Sequence, residues 1–287
     1  MKNTNSTNSR NYLNKRMREW FYKPPFAIKK PLIHPPLTNH YPLVGTAFDY
    51  LLRFLLQYIN PHAVSHPWIA EEGLKVGRQL LKTKIFTSKS EKKYFKVWLK
   101  EARMLLERAK DNHAKYLENG TITTELIKSS IHLAKLDFFY RAPDKINVNG
   151  TIQDIDPLDV DDLRGLIEGV NLNQFRTEKL CILNPRFTDA AKITGQVADA
   201  DLILDNTLID IKTFMNLEFG REVFNQITLY YFLAMIGGVD HAPKDYKIQK
   251  IGVYYPRHEY LHVLDIYSII TDKFKEEVLD CINNRNL

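Results

Sequence analysis

Residues 195–213 run Gly-Gln-Val-Ala-Asp-Ala-Asp-Leu-Ile-Leu-Asp-Asn-Thr-Leu-Ile-Asp-Ile-Lys-Thr. An apolar run from Val197 to Leu204, the pair Asp205-Asn206 and a second run from Thr207 to Thr213 spell a β-hairpin: β-branched and aliphatic residues on both sides of a turn pair. Side chains alternate faces along a strand. Asp210 and Lys212 therefore share one face, Ile209 and Ile211 point the other way into a core, and Asp199 and Asp201 share a face of the first strand. Charges set into an apolar hairpin are costly unless paired or bound to a metal. Carboxylates on neighbouring strands can hold a hard divalent cation through oxygen, and a lysine beside them can position water or stabilise charge growing on a phosphate. The plainer reading of the hairpin alone is a surface element with solvated acids and an Asp–Lys pair, because Asp-x-Lys is a common pattern.

The stretch that follows tips the balance toward chemistry. Residues 218–236, Glu-Phe-Gly-Arg-Glu-Val-Phe-Asn-Gln-Ile-Thr-Leu-Tyr-Tyr-Phe-Leu-Ala-Met-Ile, form a helix that is apolar nearly all round and so buried on most sides. Gln226 and Tyr230, four apart, lie on one face of it. Gly237-Gly238 ends it. Upstream, residues 44–52 (Val-Gly-Thr-Ala-Phe-Asp-Tyr-Leu-Leu) open an amphipathic helix over 44–60, with Thr46 as a candidate cap. Asp49 in its first turn is open to two readings of equal weight, a helix-dipole partner and a metal ligand.

Asp201 on one strand, Asp210-x-Lys212 on the next, Gln226-x-x-x-Tyr230 on a helix and Gly45-x-x-x-Asp49 upstream together resemble the PD-(D/E)XK nuclease superfamily, and within it the RecB-like branch. The resemblance covers residues 45–60 and 195–266. Asp49 stands where that branch has histidine, and no proline precedes Asp201. The resemblance implies a restriction-endonuclease-like α/β fold: a mixed sheet flanked by helices, with a helical insertion between the first core helix and the sheet. It implies a metal-dependent nuclease hydrolysing phosphodiester bonds of DNA, with RNA also open. Asp201 and Asp210 would bind Mg2+ or Mn2+, with the backbone carbonyl of Ile211 as a further ligand, Asp49 as a third side-chain candidate and Asp199 as the spare for Asp201. Lys212 would orient the attacking water, and Gln226 and Tyr230 would position substrate. The alternative is a catalytically silent module of the same kind that binds nucleic acid or a protein partner. A third option, a structural α/β protein with all these acids solvated, is also open. Some relatives hold an iron–sulfur cluster on four cysteines; Cys181 and Cys281 are the only two here, so no such cluster is expected.

The chain of 287 residues is 44% hydrophobic and 26% charged, with a net charge of +6 and a pI near 9.0. That composition suits a globular protein with a sizeable core, and a mild basic excess suits a nucleic-acid binder. Two distant cysteines offer no disulfide framework, which fits a reducing, cytoplasmic setting. No apolar stretch reaches membrane-spanning length, so no membrane partner is expected. No helicase motif is present, so any motor would be a separate chain.

Residues 1–43 divide into a basic, acid-free tail over 1–18 and a proline-rich extended connector over 24–43, where His34 and His40 are loop residues. Residues 44–287 read as one domain. Residues 68–142 form a helical insertion: Trp68 to Lys82, Ser90 to Leu117, and a helix opening at Thr123 or Thr124 and ending before Pro143. Its cations Lys92, Lys93, Lys96, Lys100, Arg103, Arg108 and Lys110 are interspersed with Glu and read as a solvated face. By resemblance such an insertion would wall a substrate channel. Asp159, Asp161 and Asp162 follow Pro157 as a helix start rather than a metal cluster. The sheet spans 178–266, with further strands at 179–183, 248–255 and 259–266. Cys181 reads as a small core hydrophobe, Arg257 and His258 as a solvated turn, and 267–284 as a closing amphipathic helix.

Overall fold

The computed structural model describes residue 12 and residues 14–83, 88–141, 152–195 and 198–279. Residues 1–11 of the basic tail, Pro143, Val197, Cys281 and Ile282 lie outside the described residues. The chain divides into two compact units, Met1–Leu32 with Thr177–Leu287, and Ile33–Arg176. It is α/β: a mixed sheet flanked by helices in one unit and an all-but-helical second unit.

The helical unit holds α1 (Tyr41–Ile59), α2 (Ile69–Thr83), α3 (Lys89–Asn119), α4 (Thr124–Arg141) and α5 (Pro157–Glu168). α4 is its centre, burying Leu126, Ile127, Ile131, Leu133, Leu136 and Phe139 and packing against α1, α2 and α3. A Cβ on Gly73 of α2 would stand 2.3 Å from the Leu136 carbonyl oxygen, so only glycine allows these two helices to approach so closely. α3 starts from a Ser88 side chain that accepts the Glu91 amide at 3.0 Å and ends on Gly120 at φ 68°, the left-handed residue that closes helices.

On sequence α1 belongs with the sheet and 68–142 stands apart. In the structure the apolar face of α1 (Phe48, Leu51, Leu52, Leu56) is covered by α4, so α1 folds with the helices of 68–142. α1 also begins earlier than its apolar spacing suggests. Pro42 sits in its first turn and His40 precedes it; proline there lacks only an amide that would have no helical partner anyway. Thr46 is therefore inside the helix and caps nothing.

Two imidazoles give this unit a pH dependence. Burial pushes His113 down to about 4, where its ring lies 4.3 Å from Phe54 and 5.4 Å from Trp68. His132 is also pushed down to about 4 by burial, with Lys135 and Arg108 adding to the effect and the Gln153 backbone and Glu125 opposing it. The folded values lie below the unfolded value near 6.5. Between about pH 6.5 and pH 4 the unfolded chain therefore binds protons that the folded chain refuses. Stability is fully present above pH 6.5 and falls as pH drops through that window, by at most about 1.4 kcal/mol per pH unit for each ring. Urea midpoints at pH 7 and pH 5 check this; His113→Phe should flatten the difference.

The sheet unit places its strands in chain order: β1 (Cys181–Leu183), β2 (Leu202–Leu204), β3 (Thr207–Ile211), β4 (Lys250–Tyr255) and β5 (Tyr260–Asp265). β1–β2, β2–β3 and β4–β5 are antiparallel, and β3–β4 are parallel. A parallel pair needs a long crossover; α7 (Arg221–Gly237) supplies it and packs on β3 and β4. Before it comes the short α6 (Thr188–Thr194), which the sequence did not announce. β1, β2 and most of β3 and β4 are buried along their length, as covered strands are. One cluster fills the space under α7: Ile203, Leu208, Phe224, Ile227, Ile251 and Val253 among others, joined by Met17, Trp20 and Phe21 from the chain's beginning.

The Asp205-Asn206 turn forms as expected, with Asp205 at φ 50°, a conformation aspartate tolerates. The closing stretch does not form one helix. Asp265 accepts the Tyr267 amide at 2.9 Å and Thr271 accepts the Phe274 amide at 3.3 Å. These two local caps divide it into a 3-10 turn at Ile266–Ser268 and short turns over Asp272–Phe274 and Lys275–Leu279, as side chains that bond the nearby backbone tend to do.

Candidate functional site

The β2–β3 hairpin builds the site. Its register pairs Leu202 with Ile209, Ile203 with Leu208 and Leu204 with Thr207; carried one step further, it sets Asp201 across from Asp210. Asp201 sits just before β2 and is half-buried. Its Oδ2 accepts the Ile211 amide at 2.7 Å, tying its carboxylate to the end of β3. Asp210 is 2% exposed, so it is not a solvated hairpin acid, and the all-solvated option fails at this residue. Lys212 Nζ lies 2.7 Å from Asp210 Oδ2. The Lys212 amide donates to the Tyr254 carbonyl at 2.9 Å, which anchors the lysine's backbone on β4.

The face assignment holds for Ile209, which is buried, but the Asp210 face is covered as well. Asp210 shares its face with Leu208, a member of the cluster under α7, while Ile209 on the opposite face is also buried and Ile211 is half-buried. Both faces of β3 are covered because the helix lies on one and the opposite face is also enclosed. Asp210 therefore points to the α7 side.

Tyr230 on α7 is 9% exposed, and its hydroxyl accepts from Gln226 Nε2 at 2.7 Å. The hydroxyl pKa is pushed up first by burial, then by the charges of Asp210 and Asp201, with Asp199 adding to them and Gln226 opposing. The phenol stays protonated, a hydrogen-bond donor close to the acids. Gln226 and Tyr230 thus share one face of the helix, as their spacing suggested, and the Tyr230 hydroxyl lies within the field of Asp201 and Asp210. Tyr255 on β4 is pushed up by burial and next by Asp210, and its hydroxyl donates to the Glu218 carbonyl at 2.8 Å. Asn225, next to Gln226, keeps a buried Oδ1 without a hydrogen-bond partner among the described residues.

Asp199 is engaged elsewhere. It forms a bridge with Arg186, whose Nε lies 3.8 Å from its Oδ1. Asp49 lies in the helical unit. Because α1 begins at Tyr41, Asp49 is two turns inside it and the first turn holds no acid, so the dipole reading fails. Its Oδ2 instead meets Arg53 Nη2 at 2.5 Å. Among the described residues no three His, Cys, Asp or Glu side chains gather in a way that could hold a metal ion. The carboxylates brought together at the hairpin are those of Asp201 and Asp210, and the resemblance would add the Ile211 carbonyl. These are hard oxygen ligands of the kind Mg2+ and Mn2+ take, and a site with so few protein ligands suits ions that keep several waters.

Several buried polar residues escaped notice in the sequence. Arg257 is 1% exposed and its Nε donates to the Thr213 carbonyl at 3.0 Å, while His258 is buried with Nδ1 2.8 Å from the Pro31 carbonyl. The solvated-turn reading is therefore wrong, and nothing in the spacing of Pro256-Arg257-His258 signals it. Asp159 is buried too, accepting from Thr38 Oγ1 at 2.7 Å and lying 3.0 Å from His40 Nδ1. A signal for it existed: Asp159 precedes Leu163 by four and Leu166 by seven, on the apolar stripe of α5. Near it, a cavity of about 950 Å3 in the helical unit is lined by Trp98, Ile131, Phe138, Asp137 and Asp159 among others. Cys181 is buried and its thiol is pushed up to about 12 by burial and then by Asp205, so it is a core residue and no nucleophile. No helix among the described residues is long and apolar enough to cross a membrane.

Comparison with protein-family models, with curated proteins and with solved structures found no match to this chain.

Proposed function

We propose that the protein is a divalent-metal-dependent nuclease with a restriction-endonuclease-like sheet, related to the RecB-like branch of the PD-(D/E)XK superfamily, acting on DNA. The observation that carries this reading is the meeting of Asp201 and a buried Asp210 at the end of one hairpin, with Lys212 2.7 Å from Asp210 and the Tyr230 hydroxyl within the field of both acids. A buried carboxylate facing a tyrosine and a lysine is costly to keep unless it serves a purpose. Asp201 is preferred to Asp199 as the first metal acid, because Asp199 is paired with Arg186. Asp49, bound to Arg53, is left outside the ligand set.

Asp201, Asp210 and the Ile211 carbonyl would hold Mg2+ or Mn2+, which supplies Lewis-acid polarisation of the phosphate and a more acidic water. Lys212 holds the attacking water in place and offsets negative charge as it grows on the phosphate. Tyr230 donates a hydrogen bond to a substrate oxygen while keeping its proton, and Gln226 fixes the direction of that hydroxyl. The test is incubation of linear and circular DNA with manganese or with a chelator. Metal-dependent cutting supports the reading, and cutting of the circle identifies an endonuclease. Absence of cutting on DNA and RNA alike sinks it.

A second reading, a nuclease-like module that binds nucleic acid or a protein partner without cutting, draws on the small ligand set and on the bonds both acids already make within the protein. It shares the site but expects no metal-dependent cleavage.

A further inference from the structure

The cations of α3 are interspersed with glutamates along the chain, but the helix sorts them. Lys89, Lys92, Lys93, Lys96, Lys100 and Arg103 are all exposed. At about 100° per residue they fall within an arc of roughly 100°, over about 21 Å of helix. Glu91 and Glu101, the only acids in this span, turn to other sides, and no acid enters the arc before Glu107. Neighbours three and four apart on this stripe are like-charged, which weakens a helix. Lys89, Lys92 and Lys93 stand in its first turns, where positive charge opposes the helix dipole.

Elsewhere the protein avoids such costs. Lys75, Lys128, Lys192 and Lys275 each pair with an acid three residues before them. Among the described residues Lys89, Lys93, Lys96, Lys100 and Arg103 make no ion pair. Val97 at 50% and Met104 at 57% exposure flank the stripe on one side. A stripe this long spans about six phosphates of one DNA strand, spaced about 3.4 Å along the duplex axis.

We infer that the α3 stripe is a binding surface for the phosphate backbone of duplex nucleic acid, recognising charge and not sequence. The inference shares with the proposed function the premise of a nucleic-acid substrate, but it needs neither metal nor cleavage. Release of counterions from the backbone would supply most of the affinity.

The test is binding of the full-length chain to a labelled DNA duplex by fluorescence anisotropy, with chelator present, over a range of potassium chloride. Wild type is compared with Lys93→Gln/Lys96→Gln/Lys100→Gln/Arg103→Gln. Glutamine is a comparable helix former, and circular dichroism checks that the fold is kept. A second variant, Lys75→Gln/Lys128→Gln/Lys192→Gln/Lys275→Gln, loses the same charge at other positions. The stripe variant should bind at least about tenfold more weakly, and its log–log salt slope should fall by about 0.9 for each phosphate that is no longer neutralised. The second variant should keep the wild-type slope.

Equal slopes in all three proteins, equal weakening in both variants, or no duplex binding by wild type would overturn the inference. So would loss of binding to phosphatidylserine vesicles in the stripe variant with DNA binding unchanged, which would give the stripe to a membrane surface. Asp210→Ala separates the two claims. Binding with a normal salt slope but no cleavage by any form keeps the stripe and rejects the nuclease. Cleavage by wild type with unaltered binding by the stripe variant does the reverse.

Discussion

Asp210→Ala is expected to abolish metal-dependent cleavage, a fall of at least about a thousandfold, or roughly 4 kcal/mol of transition-state stabilisation. In the proposed centre Asp210 would contribute a metal oxygen, and it lies 2.7 Å from Lys212, so one substitution would remove a ligand and release the proposed water-positioning group. Lys212→Ala should lower kcat by about a hundredfold or more while leaving metal binding in place. Combining the two should cost much less than the product of the single losses, since residues that act as a unit are not additive. The fold should survive. The Lys212 side chain is 17% exposed, so on losing its partner it can turn toward water instead of leaving a stranded buried charge. Initial rates on linear DNA, alongside urea unfolding curves, separate lost chemistry from lost folding.

The second large effect falls on stability. Arg257→Ala should destabilise the sheet unit by about 3 to 5 kcal/mol, combining the void left by a large buried side chain with a carbonyl left without its donor. Arg257 is 1% exposed and binds the carbonyl of Thr213, the residue after Lys212. Its loss should therefore loosen the end of β3 and lower kcat as well. Arg257→Lys keeps the charge but not the planar fork, so it should recover only part of the stability. The urea midpoint measures the first effect. Cleavage by the Lys variant, under conditions where it is fully folded, measures the second.

What was legible in the sequence was whatever local pattern dictates. The hairpin could be read because two strand-like runs flank Asp205-Asn206, and α7 because its apolar residues continue for five turns before Gly237. The spacing of Gln226 and Tyr230 put them on one helix face, and the Tyr230 hydroxyl on that face lies within the field of the acids. Burial imposed from elsewhere in the fold could not be read. Asp210 looked like a residue on the polar side of a strand, but α7 covers that side. Arg257 follows a strand in what looks like an ordinary turn, and a partner that holds it inside, the carbonyl of Thr213, lies far away in sequence. α6 escaped because seven residues of mixed polarity carry too short a period to notice. The charged stripe on α3 was hidden for a different reason: along the chain its cations are interspersed with Glu91, Glu101 and apolar residues, and only the helical turn gathers them on one side.

The most direct measurement is a titration of the chelator-stripped protein with Mn2+ by calorimetry, with Asp201→Ala and Asp210→Ala beside the wild type. Stoichiometric binding by the wild type, lost or weakened by at least about tenfold in both variants, is the expected result. Wild type that binds no Mn2+, or variants that bind it as tightly as wild type, would contradict a metal centre at this hairpin.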